Sequence, residues 1–96
     1  MALSKRTKEI MLIALVDKGV RDEIADAIDA NVPVALSKKA KQHLEIALPD
    51  RKVYQEVLSK IEAGGPSVLS KNAKAVLNQA MPDREAFAEI VSAIEA

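Results

Sequence analysis

The chain contains no cysteine and no tryptophan, and only one tyrosine and one phenylalanine. Without cysteine there is no disulfide scaffold, no thiolate metal site and no thiol nucleophile. Two aromatic rings are too few for the stacking platforms that hold single-stranded nucleic acid. No sign of charge predominates: 14 basic residues meet 14 acidic ones. A dedicated polyanion binder would carry a basic excess. Long apolar runs are lacking too. The longest is Ile10–Val16, whereas a bilayer span takes roughly 20 residues. No cleavage site of a secretory signal is evident. The expectation is a protein that is soluble and intracellular, or packaged in a particle. Its 96 residues suit one small domain over residues 1–96.

What the chain does have is an internal repeat. Residues 3–30, 36–63 and 69–96 align without gaps, each copy starting 33 residues after the last. Nine of 28 positions are identical in all three: Leu3, Ser4, Lys5, Lys8, Ala14, Asp17, Glu23, Ile28, Ala30 and their equivalents. Such self-similarity marks a repeat architecture.

Each copy reads as a pair of helices. Ser4, Ser37 and Ser70 can cap a first helix, because the hydroxyl accepts from a first-turn N–H. Apolar residues then recur at helical spacing, as in Ala40, Leu44, Ala47 and Leu48, or Ala73, Val76, Leu77, Ala80 and Met81. Pro49-Asp50 and Pro82-Asp83 end the first helix and cap the second. Val16-Asp17 does so in the first copy without proline. The second helices carry stripes such as Val20, Ile24, Ala25 and Ile28. Asn31 and Gly64-Gly65 suit left-handed C-caps, with Pro33 and Pro66 beyond them. No segment alternates with period two. The expected fold is all-α, with three tandem helical hairpins packed either as a short right-handed solenoid or as a compact bundle.

Departures from the repeat point to candidate sites. Leu12, Ile13 and Val16 make the first helix apolar on a second face, where the other copies carry Glu45, Ile46 and Pro49 or Asn78, Gln79 and Pro82. Either this helix lies centrally in the bundle, or the face is a surface for a partner or for self-association. Lys5 and Lys8 recur as Lys38 and Lys41 and as Lys71 and Lys74, at helix starts where the macrodipole disfavours positive charge. Salt bridges to the repeated acids Asp17 and Glu23 and their equivalents would compensate. The alternative is a local basic edge of Lys5, Lys8, Lys38, Lys39 and Lys41 that contacts an acidic protein or a phosphate backbone. A helix-turn-helix reader would need exposed Arg, Asn or Gln on a second helix. Those helices are instead mostly acidic or aliphatic outside.

Chemistry is not legible. His43 has no acid at helical spacing to orient it, and packing is its simpler role. Tyr54 and Phe87, at equivalent positions, are expected in the core, one of them alternatively serving as an interface anchor. No phosphate loop, dinucleotide turn, metalloprotease motif or nucleophile elbow is present. We expect no enzyme, no cofactor and no metal.

The pattern carried by Leu36, Ser37, Lys41, Leu44, Ala47, Leu48, Asp50, Glu56, Ile61 and Ala63, with their counterparts, resembles small helical-repeat proteins of the structural modules of tailed bacteriophages. That resemblance implies a non-enzymatic virion-associated or assembly subunit. Its partner would be itself or a capsid, neck or tail protein. The alternative is a small nucleic-acid-associated regulator using the basic edge.

Overall fold

Six helices form, each stopped and started where the caps stand. In the computed structural model, which describes residues 3–81 and 83–96, these are α1 (Lys5–Leu15), α2 (Lys18–Ala30), α3 (Lys38–Ala47), α4 (Arg51–Ala63), α5 (Lys71–Ala80) and α6 (Arg84–Glu95). The Ser4, Ser37 and Ser70 hydroxyls accept from the N–H of Thr7, Ala40 and Ala73. Asp17, Asp50 and Asp83 do the same for Val20, Val53 and Ala86. Each cap satisfies a first-turn donor that the helix itself leaves orphaned.

Helices α1–α2, α3–α4 and α5–α6 pair as hairpins, and the second helix of each packs on the first of the next: α2 on α3, α4 on α5 and α6 on α1. The last contact closes the chain into a ring with pseudo-threefold symmetry, 25 × 25 × 24 Å across. The arrangement is the compact bundle, not the solenoid. Met11, Ala14, Leu15, Ile24 and Ile28, with their equivalents in the other two copies, converge on the axis. They leave a cavity of about 30 Å³ lined only by apolar side chains. Small-molecule sites are roughly 300–1,000 Å³, so this gap is a packing remainder and not a ligand site.

The three seams between copies use one device. Glu23 of α2 accepts from the backbone N–H of Ser37 (2.6 Å) and from its hydroxyl (2.8 Å). Glu56 holds Ser70 in the same way at 2.7 and 2.8 Å. Glu89 accepts from the Ser4 N–H and so joins the last copy to the first. In a capping box the acid sits three residues after the cap and returns to the cap N–H. Here that position is Thr7, Ala40 or Ala73, all fully buried, and the neighbouring copy supplies the acid instead.

One hairpin turn differs, and proline explains why. Leu48 and Met81 precede Pro49 and Pro82 and take φ −114° and ψ 87°, because proline pushes its predecessor out of the helical region. Leu15 precedes Val16, stays helical, and leaves the reversal to Val16 at φ 66° and ψ −18°. A β-branched residue in the left-handed region is strained, at about 1–3 kcal/mol. Val16→Gly is therefore expected to raise stability by about 1 kcal/mol, after glycine's entropic cost of about 0.5–1 kcal/mol. Urea unfolding checks it; an unchanged or lower midpoint would contradict the strain.

Candidate functional site

The second apolar face of α1 is not buried in a central position. The helix buries Thr7, Met11 and Leu15. Ile13 is 72% and Val16 80% exposed, and Leu12 is half-buried. Ile46, the counterpart of Ile13, is 77% exposed. His43 Nδ1 donates to the Leu15 carbonyl at 3.1 Å, which sets α3 beside the C-terminal end of α1. Ile46 follows His43 by three residues and so shares its face of α3. Ile13, Val16 and Ile46 thus lie exposed toward the C-terminal ends of α1 and α3, two helices in contact, and this end of the pair is one pole of the ring.

Two ion pairs flank this pole. Lys39 Nζ lies 3.0 Å from Asp17, and Arg51 lies 3.1 Å from Glu45. These two pairs place both signs beside the apolar residues, with the exposed Lys18 next to Asp17. Ile46 is legible as the counterpart of Ile13, but a residue shared by two copies is not a departure from the repeat and so does not mark itself as part of a site. Val68, 75% exposed, lies in the linker 64–68 and was also missed.

The lysines are compensated differently from the sequence expectation. Lys8, Lys41 and Lys74 reach Asp29 (3.9 Å), Glu62 (3.8 Å) and Glu95 (3.3 Å), not Asp17, Glu23 or their equivalents. The reason is hairpin geometry. The start of each first helix lies against the end of its own second helix, where that acid also accepts the N–H of Leu3, Leu36 or Leu69. Each charge sits at the helix end the dipole disfavours, and the two offset one another. The Glu23 position is occupied instead by the serine seam. Of the expected acids, only Asp17 and Asp83 hold cross-copy cations among the described residues, through Lys39 and through Arg6 at 2.5 Å. Of the candidate basic edge, Lys8, Lys39 and Lys41 are thus engaged, and Lys5 and Lys38 have no ion pair among the described residues.

Compared with protein-family models, with curated proteins and with solved structures, the chain matches none.

Among the described residues no group of three His, Asp or Glu side chains could hold a metal ion. No helix among them is long and apolar enough to cross a membrane. Tyr54 and Phe87 lie half-buried against the core, and burial pushes the Tyr54 hydroxyl up from its ordinary value. Arg21, at the same position in the first copy, donates to the Lys8 carbonyl at 2.8 Å.

Several carboxyls that join the copies or close a hairpin are held below their ordinary range. The Ser4 N–H lowers Glu89, the Leu69 N–H lowers Glu95, and Arg6 followed by the Ala86 N–H lowers Asp83. The Val20 N–H followed by Lys39 lowers Asp17. A folded-state value below the unfolded one contributes stability that is complete above the unfolded value and lost as pH falls through the folded one. Stability is therefore expected to hold from pH 7 to about 5 and to fall steadily below about pH 4.5. Urea midpoints at pH 7, 4 and 3 check this; a flat profile would contradict it.

Proposed function

We propose that the protein is a non-enzymatic assembly subunit that docks through the pole formed by Ile13, Val16 and Ile46, with a second copy as its first partner. One observation carries the reading. Val16 strains the backbone and is 80% exposed, so it costs stability without packing at home. Strain at an exposed residue points to a role outside the fold. Exposed apolar clusters of this kind mark interaction sites. A second copy is the first partner to test, because a twofold interface is built from the same patch on both subunits and an apolar patch is compatible with itself. The likeness of the repeat to phage structural-module proteins supplies a setting, in which the ring packs on a capsid, neck or tail component. The alternative of nucleic-acid binding draws on fewer groups, since three of its five lysines are engaged in ion pairs.

Light scattering on a sizing column over a concentration series tests this. The expected mass rises with concentration above 10.4 kDa and returns to monomer in Ile13→Lys with helical circular dichroism intact. Val16→Gly should weaken association while raising stability. A monomer at every concentration would overturn self-docking.

A further inference from the structure

The ring contains the same kind of interface three times, and the three are not equally tied. Copies one and two are joined by the Glu23–Ser37 seam, the Lys39–Asp17 pair and the His43–Leu15 bond. Copies three and one are joined by Glu89–Ser4, by Arg6–Asp83, and by Asn31 Nδ2 donating to the Ala96 carbonyl at 3.4 Å. Between copies two and three, the Glu56–Ser70 seam is the only polar tie among the described residues. Asn72 stands where Arg6 and Lys39 serve the other seams, and Val76 stands where His43 does.

This weakest seam is also the one spanned by the linker 64–68. Gly64 and Gly65 both hold positive φ, 68° and 73°. Gly65 donates to the Asn31 carbonyl at 3.0 Å. A Cβ on Gly64 would lie 2.4 Å from the Val32 carbonyl carbon. The closed path of this linker thus depends on glycine at residue 64, whereas an extended path would not.

We propose that the third repeat, residues 69–96, exchanges between two copies of this chain. The linker 64–68 opens, α5 and α6 leave their place, and they enter the same place in the partner's ring. There α5 packs on the partner's α4 and α6 on the partner's α1. Both seams of the repeat are re-made in trans, so the native contacts cancel between the two states. What remains is the linker's conformation and the protein concentration. The docking pole takes no part, so this exchange is independent of it.

The test uses the full chain. Gly64→Val penalises only the closed linker, and is expected to raise the dimer-to-monomer ratio at fixed concentration by about tenfold or more, with unchanged helical circular dichroism. The dimer should persist on dilution, because exchange requires the repeat to leave the ring. Adding Ile13→Lys should leave it intact. A Gly64→Val protein that is monomeric with native helicity at every concentration overturns the proposal, as does a dimer that Ile13→Lys disperses. If Gly64→Val fails to fold, Gly65→Val decides. A side chain there meets nothing within 4 Å, so only the positive φ opposes it, and a monomer at every concentration again overturns the exchange.

Discussion

Leu48→Ala is expected to destabilise the ring by about 3–5 kcal/mol, the upper range for deleting a buried leucine side chain. Leu48 is 1% exposed and lines the axial cavity. Its truncation would enlarge a gap that already exists, and the other axial side chains come from all three hairpins and cannot collapse independently. Against a total stability of about 5–14 kcal/mol for a chain of this size, the loss would leave the variant marginal. Ile46→Ala, two residues earlier and exposed, should change stability by only about 0.5 kcal/mol or less. Urea unfolding of the two variants checks the contrast. Equal effects would mean that the axis is not the core.

Glu89→Ala is expected to cost about 1.5–3 kcal/mol, the range for a hydrogen bond to a charged group. That corresponds to a fall in Tm of about 6 °C or more. Glu56→Ala, which removes two bonds to Ser70 where Glu89 has one to Ser4, should cost the same or somewhat more, although Glu56 lies between adjacent copies while Glu89 and Ser4 are separated by nearly the whole chain. Only a closed ring gives Glu89 a weight of the same order as Glu56. An open array would leave Glu89 with no seam to hold, and its substitution would then fall near zero. Thermal unfolding of both variants decides between the two arrangements.

Much of the fold was legible in the residues. The serine and aspartate caps, the apolar stripes and the left-handed stop at Asn31 are local features, and each sits where the sequence placed it, whereas Gly64 ends α4 with a positive φ but an extended ψ of 173°. Closure was not legible. It depends on the angle at which one hairpin leans on the next, and that angle follows from tertiary packing, not from periodicity. The repeated Glu23, Glu56 and Glu89 were visible as a pattern. Their partners were not, because each reaches across to the serine of another copy. The lysine partners are hidden for a related reason: the repeat points to Asp17, Glu23 and their equivalents, while the antiparallel hairpin brings Asp29, Glu62 and Glu95 to Lys8, Lys41 and Lys74.

The apolar pole was half legible. The missing proline at Val16 was plain in the sequence. Its outcome was not, since either end of the turn could have absorbed the change, and Leu15 kept its helical conformation while Val16 took the strain.

Ring closure also changes how the molecule comes apart. In a linear array of repeats the two terminal units each have one neighbour and fray first, so stability is a sum along a line. Here α6 against α1 gives every repeat two neighbours. Releasing any one copy breaks two seams and opens the shared axis at the same time. Loss of an end unit thus costs two seams where a linear array would lose one, so a repeat that leaves the ring without a partner ring to enter takes the other two copies with it.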